Sequence, residues 1–290
     1  GRNLSLSTAH VLSWIVFSLM IVASSGGLFL DGLYLDSLNV EAALRGGDLV
    51  NLLVAAPILL VAMAWAGRGS IRAYLVWLAI LAYAAYGYAY YVFGPTFNDF
   101  FLIHVAIFAL ALAALGFGIM ALDVTVLTPQ FKSAWLPRAV AGFLVAAMVF
   151  MIGSYTVEVL RYVGGGEQPT DVLPFAEWRV HLGYALDLSL LAPSAIIAGL
   201  LLWTRSRWGN AVATVVLVFL CVYQISFLSA AVFMSDAGIP DSTPAISQAA
   251  ASMLIFAIPA GIMLWGVTGP SRTANPLAGH QSAQPSETER

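Results

Sequence analysis

The chain has 290 residues, of which 60% are hydrophobic and 9% are charged, and its formal net charge is -3. Soluble globular proteins carry about 25% charged residues, so this composition excludes a water-soluble fold. The small net charge and the lack of basic runs argue against a nucleic-acid partner. A single cysteine, Cys221, excludes a disulfide framework or a cysteine metal cluster within one chain.

Eight apolar stretches are long enough to cross the roughly 30 Å hydrocarbon core of a bilayer. Backbone polar groups in lipid must bond within their own segment, so each stretch is predicted to be a helix. The predicted spans are 10–30, 49–67, 73–93, 101–121, 139–160, 180–203, 211–234 and 248–267. The fold class is therefore an all-α polytopic transmembrane bundle, with one four-helix half over 1–121, a second over 139–267 and a disordered tail over 269–290.

The connections between the spans carry further local signals. Residues 39–45 are predicted to form a short surface helix, with a Glu41/Arg45 pair at i,i+4 and a Gly46-Gly47 stop. Only residues 94–100 separate the third and fourth spans, so these two spans are expected to form a tight hairpin.

The orientation of the bundle is predicted from its basic residues, because Lys and Arg beside short loops resist translocation. Nine of the twelve fall on one side of the predicted bundle: Arg2, Arg68, Arg72, Lys132, Arg138, Arg205, Arg207, Arg272 and Arg290. Most carboxylates fall on the opposite side, and the tyrosines also favour that outer half. We therefore expect a multi-pass protein of the plasma (inner) membrane with both termini in the cytoplasm.

A possible internal repeat links the second and sixth spans. In Asn51-Leu-Leu-Val-Ala-Ala-Pro57 and Asp187-Leu-Ser-Leu-Leu-Ala-Pro193, a polar residue stands six positions before a proline. Both segments then run into a predicted cytoplasmic turn. Four spans separate them, so the hypothesis is a parallel four-plus-four duplication.

Asp187 is the clearest candidate for a functional group. An ionisable side chain inside a bilayer costs about 2.5 to 3.5 kcal/mol, so one that remains there is a hypothesis for function. Tyr184 lies at i-3 on the same helix face, and Pro193 can free a backbone carbonyl to line a cavity. The alternative interpretation is a carboxylate that only bonds within the bundle.

The other candidates share a position in the outer half of the spans or at their outer ends. They are Asp48, Asn51, His104, Glu158, Arg179, His181 and Gln224. Each alone is more typical of an interfacial residue than of a ligand, and Glu158 is expected to pair with Arg161 at i,i+3. Together they predict one polar, tyrosine-lined vestibule that opens outward. No cofactor is expected, since two histidines without a mutual motif are weak support for haem or metal.

Three segments resemble a family of uncharacterised bacterial multi-pass membrane proteins. They are Asp48-Leu-Val-Asn51-Leu, Tyr91-Val-Phe-Gly-Pro-Thr-Phe-Asn98, and Leu186-Asp187-Leu followed by Ala192-Pro193. The resemblance implies the same multi-span architecture and implies no activity.

Three functions stay open at this point. The first is a small-solute transporter or ligand-binding membrane protein whose outer site includes Asp187, Tyr184, Asn51 and Glu158, with Asp187 binding a cation or a coupling proton. The second is a membrane enzyme for a lipid or lipid-linked substrate, with Asp187 or Glu158 as general base and His181 or His104 as its partner. The third is a structural subunit. The expected partners are the lipid bilayer and a small solute or lipid.

Overall fold

The computed structural model describes residues 2–129, 131, 133–166, 182–240 and 242–268 of the chain. Within these residues eight helical segments are long and apolar enough to cross a membrane, which confirms the predicted all-α membrane bundle. They are Arg2–Phe29, Leu38–Gly67, Ile71–Phe93, Phe101–Ala121, Trp135–Val163, Leu182–Trp203, Gly209–Asp236 and Ser242–Gly266, numbered here as the first to eighth spans. The predicted disordered tail lies outside the described residues.

The second and sixth spans each contain one π-helical turn. In the second span it covers Asn51–Ala55 and in the sixth Asp187–Leu191, and both turns are followed by a proline, Pro57 or Pro193. Each is defined by an i to i-5 bond, from the Ala56 amide to the Asn51 carbonyl and from the equivalent Ala192 amide. A proline lacks the amide that an α-helix needs and crowds the preceding turn, so a wider turn beside it relieves both problems.

The second span begins at Leu38, so the predicted separate surface helix with a Gly46-Gly47 stop is wrong. The Glu41–Arg45 pair forms as predicted, with Nη1 of Arg45 3.2 Å from Oε1 of Glu41. The helix, however, runs through both glycines without leaving right-handed geometry. A Cβ on Gly46 would lie 2.6 Å from Cα of Ala230 in the seventh span, so the glycine serves close helix packing.

The third span is the most deeply buried of the eight. It packs against the second, fourth and seventh spans, and the side chains of Trp77 and Tyr88 are fully buried. The indole of Trp77 donates to Oγ of Ser13 at 2.9 Å, which ties the third span to the first. Large apolar side chains on the outer spans stay exposed, for example Phe150 at 78%, as expected for a surface in contact with lipid.

One face of the bundle is stabilised by hydrogen bonds to backbone groups. Arg72, at the start of the third span, donates to the carbonyls of Trp265 and Val267 at the end of the eighth. The short strands β1 (Thr128–Pro129) and β2 (Val267–Thr268) pair antiparallel and join the end of the fourth span to the same place. We call this side the basic face, because it also carries Arg68, Arg138, Arg205 and Arg207.

Candidate functional site

Asp187 lies at the first position of the π-helical turn in the sixth span and is 5% exposed. Its two carboxylate oxygens accept hydrogen bonds from two different spans. Oδ1 accepts from the hydroxyl of Tyr86 in the third span, and Oδ2 accepts from the hydroxyl of Tyr155 in the fifth at 2.9 Å. Among the described residues no Lys, Arg or His side chain bonds to Asp187, and its hydrogen-bond donors there are the two phenols.

A chain of aromatic contacts extends this site toward the outer end of the spans. The ring of Tyr155 meets the ring of Tyr184 edge to face, with centroids 4.0 Å apart. The hydroxyl of Tyr184 in turn donates to Oε2 of Glu158, which is half-buried. We define the Asp187 site as Asp187, Tyr86, Tyr155, Tyr184 and Glu158. The predicted ion pair of Glu158 with Arg161 is not found among the described ion pairs.

Two further tyrosines stand behind Tyr86. The ring of Tyr86 packs edge to face against Tyr223 of the seventh span, with centroids 5.3 Å apart. The hydroxyls of Tyr90 and Tyr223 lie 3.3 Å apart. The third, fifth, sixth and seventh spans therefore all contribute hydroxyls to the Asp187 neighbourhood, and a polar network of this kind is sensitive to the loss of any one member.

Asn51 occupies the equivalent position in the second span, at the start of its π-helical turn, and is 3% exposed. Its side-chain oxygen accepts from the hydroxyl of Tyr83 at 2.9 Å. Tyr83 and Tyr86 are three residues apart on one face of the third span. One helix face thus supplies a phenol to Asn51 and a phenol to Asp187. These are the two polar residues that occupy matching positions in the predicted repeat.

Asp48 forms a second buried acidic site, one turn before Asn51. It is fully buried, and its Oδ2 accepts from the hydroxyl of Tyr34 at 2.5 Å. Its other oxygen, Oδ1, has no hydrogen-bond partner among the described residues. Burial and the nearby Asp48 carboxylate raise the pKa of Tyr34, which lies in the connection before the second span. Gly27 of the first span makes room for this pair, since a Cβ there would overlap Asp48.

His104 is fully buried, and neither ring nitrogen has a hydrogen-bond partner among the described residues. Its ring packs against the stacked rings of Tyr91 and Tyr88, with centroids 5.1 and 5.9 Å away. No direct bond therefore links His104 to Asp187 or Glu158. The described residues contain no group of three His, Cys, Asp or Glu side chains placed to hold a metal ion.

The remaining candidates contribute less to the geometry. Arg179 and His181 lie outside the described residues. Gln224 is half-buried in the seventh span, and no hydrogen bond of its side chain is found within the described part of the chain.

Several tyrosines that were expected only to favour the outer half of the bundle lie in its core. Tyr88 is fully buried and Tyr91 is 5% exposed, and Tyr34 and Tyr155 bond to the two buried aspartates. The signal that could have identified them is the density of tyrosine in one apolar helix, since the third span, Ile71–Phe93, holds six tyrosines in 23 residues.

The fold and the site define a class: a polytopic α-helical membrane protein with a tyrosine-bonded carboxylate buried at a π-helical turn. Comparison of the chain with protein-family models, with curated proteins and with solved structures finds no match.

Proposed function

We propose that the chain is a small-solute transporter of the plasma membrane in which Asp187 binds the coupling cation, a proton. The observation that carries the proposal is the burial of Asp187 among phenols at a π-helical turn of a spanning helix, with no basic side chain bonded to it among the described residues. A carboxylate taken out of water is costly to keep charged, so it pairs with a cation, accepts strong hydrogen bonds or binds a proton. Such a group is costly to keep inside a membrane, so one that remains there is a candidate for a functional role.

Glu158 and Tyr184 give this site a route toward the acid-rich side of the bundle. Glu158 is half-buried, bonds to Tyr184, and Tyr184 contacts Tyr155, which donates to Asp187. In this proposal a proton that enters at Glu158 crosses from the Tyr184 hydroxyl to the Tyr155 hydroxyl through water, because the contact between these two tyrosines joins their rings. Asn51 is the uncharged counterpart in the other half, where an amide in place of a carboxylate leaves a single protonation site for the paired positions.

The π-helical turns supply a place where the second and sixth spans can change shape. Transporters commonly bind their substrates where a spanning helix is interrupted, because the freed backbone groups can line a cavity. π-Helical turns are also frequent at functional sites. In this proposal the proton on Asp187 and the solute share the Asp187 neighbourhood, and the turn beside Pro193 moves when they bind.

The enzyme alternative requires His104 or His181 within hydrogen-bond reach of Asp187 or Glu158, directly or through one water, and no direct bond joins His104 to either acid among the described residues. A structural subunit would contain the same tyrosine hydrogen bonds, so only a measurement of transport can distinguish it from a transporter. Its distinguishing prediction is that removal of the Asp187 charge changes stability and leaves membrane flux unchanged.

Proton flux into proteoliposomes tests the proposal. Liposomes that contain the protein and a pH-sensitive dye receive an inward proton gradient with one small polar solute at a time. We expect one of the solutes to accelerate proton entry into liposomes that contain the wild type. With Asp187→Asn, the rate of proton entry should equal that of protein-free liposomes. Asp99→Asn removes an exposed carboxylate and is the matched control, expected to behave as the wild type. Equal solute-driven flux in Asp187→Asn and the wild type would contradict the proposal.

A further inference from the structure

A cavity of about 380 Å³ opens at the basic face, between the start of the fifth span, the end of the sixth and the start of the seventh. Its polar lining consists of Ser133, Arg138, Arg205, Ser206 and Asn210, which we call the arginine pocket. Binding pockets for small ligands commonly measure about 300 to 1,000 Å³, so this volume can hold a headgroup-sized molecule. The pocket lies on the face opposite to the route through Glu158, and it is independent of the proposed function.

The charge in the arginine pocket is positive and uncompensated within the described residues. Arg138 and Arg205 both line the cavity, and no carboxylate does so. Neither arginine belongs to an ion pair of the described residues. Two guanidinium groups that face one cavity repel each other unless an anion lies between them, and phosphate matches their fork of donors.

Two long helices also begin at the pocket. The fifth span starts at Trp135 and the seventh at Gly209, and both are over 25 residues long. Oγ of Ser133 accepts from the Trp135 amide at 3.3 Å, which places that hydroxyl at the first turn of the fifth span. Helix N-termini carry partial positive charge and unsatisfied amides, so they add to the attraction for an anion.

One hydrogen-bond acceptor at the same cavity has no partner among the described residues. Asn210 lines it, and the side-chain oxygen of Asn210 is buried with no partner among the described residues. Gly209 lets the start of the seventh span pack against the end of the sixth, since a Cβ there would lie 2.5 Å from the Leu201 carbonyl oxygen. The pocket is therefore a built feature of the packing and has both charge and a free amide oxygen.

We propose that the arginine pocket binds the phosphate of an anionic phospholipid headgroup, held between Arg138 and Arg205. The lipid source is favoured by the surroundings, since Trp135 at the pocket edge is 71% exposed and Trp203 is 54% exposed. Tryptophan settles at the headgroup level of a bilayer, so the cavity opens where headgroup phosphates lie. A hydroxyl-bearing headgroup such as that of phosphatidylglycerol also provides a donor for Asn210.

Native mass spectrometry of the full chain in detergent tests this site, with phosphatidylglycerol, phosphatidylcholine and inorganic phosphate as probes. The variants are Arg138→Gln and Arg205→Asn. Asparagine is chosen at 205 because Arg205 has a φ of 54°, a left-handed conformation that asparagine tolerates. Arg207→Asn is the matched control, since Arg207 is exposed like Arg138 and Arg205, lies in the same turn as Arg205 and does not line the cavity.

We expect the wild type to prefer phosphatidylglycerol over phosphatidylcholine, and each pocket variant to bind phosphatidylglycerol about tenfold more weakly. Arg207→Asn should bind within about twofold of the wild type, because one exposed charge at a distance is screened. Equal losses in Arg207→Asn and the pocket variants would overturn the site in favour of a diffuse basic surface. Inorganic phosphate that displaces the lipid at a comparable concentration would overturn the assignment to a lipid.

A second pair of variants keeps the test valid if a neutral substitution unfolds the protein. Arg138→Lys and Arg205→Lys retain the charge and lose the planar fork of donors. We expect both to fold as the wild type and to bind phosphatidylglycerol between the levels of the wild type and the neutral variants. Wild-type affinity in both lysine variants, together with wild-type affinity in Arg138→Gln, would contradict the proposal.

Discussion

Gly46 offers a sharp test of the packing between the second and seventh spans. A Cβ at this position would lie 2.6 Å from Cα of Ala230 and 2.7 Å from its backbone nitrogen. Carbon atoms in contact settle at about 3.5 to 4.0 Å, so Gly46→Ala must separate the two helices by about 1 Å. The obstacle is backbone, so no side-chain rotation relieves it.

The expected cost follows from two opposing effects. Overpacking a well-packed interior costs about 1 to 3 kcal/mol, and a rigid backbone contact belongs at the upper end. Replacing glycine by alanine within a helix returns about 1 kcal/mol. The free energy of unfolding should therefore fall by about 2 kcal/mol in Gly46→Ala.

Gly153→Ala is the matched control, because Gly153 lies inside the fifth span with no atom within 4 Å of the added Cβ. This variant should gain about 0.5 to 1 kcal/mol from helix propensity alone. Reversible unfolding of both purified variants in detergent measures the difference. A Gly46→Ala protein as stable as Gly153→Ala would refute the close approach of the two spans.

Two further predictions concern the buried acids. Tyr155→Phe removes the bond to Asp187 and should lower the free energy of unfolding by about 1 to 2 kcal/mol, whereas Tyr162→Phe, at an exposed outer position, should change it little. The same loss in both would show that the Tyr155 hydroxyl contributes nothing. Because the pKa of Tyr34 is raised in the folded chain, its stabilising contribution is present below about pH 10 and is lost as the pH rises further. Tyr34→Phe should therefore show a shallower loss of stability in alkaline denaturation series, and an unchanged slope would contradict the Tyr34–Asp48 bond.

The eight spans were predictable from the sequence because hydrophobicity over about 20 residues is a local property. Most boundaries moved by only a few residues. The largest difference is in the second span, which begins at Leu38 and was predicted to begin at 49. A pair of glycines is ambiguous in sequence: it can end a helix or allow another helix to approach. Only the position of Ala230 in the seventh span decides between these two roles.

Asp187 could be singled out from the sequence, but its partners could not. Tyr86 is 101 residues away along the chain and Tyr155 is 32 residues away, so their bonds depend on how the spans pack. The sequence predicted a tyrosine-lined vestibule, but tyrosine at a span end is also typical of the membrane interface, so the pattern could not show which tyrosines bond to which acid. The arginine pocket also depends on how the spans pack, because Arg138 and Arg205 lie at the ends of different spans. In the sequence these two arginines were interpreted only as signals of orientation.

The duplication hypothesis remains a prediction. The π-helical turns start at Asn51 and Asp187, 136 positions apart, and each is followed by a proline at the same offset. The third and seventh spans also pack against each other at the centre of the bundle. The first span packs closely on the fourth, whereas the fifth packs mainly on the sixth, so the two halves differ at their outer helices.

Infrared spectroscopy of the reconstituted protein tests most directly whether Asp187 takes up and releases a proton. The carbonyl stretch of a protonated carboxylic acid is recorded through a pH titration for the wild type and for Asp187→Asn. We expect a band in the wild type that disappears as the pH rises and that is missing from the variant at every pH. Identical titrations for the two proteins would contradict a protonation role for Asp187.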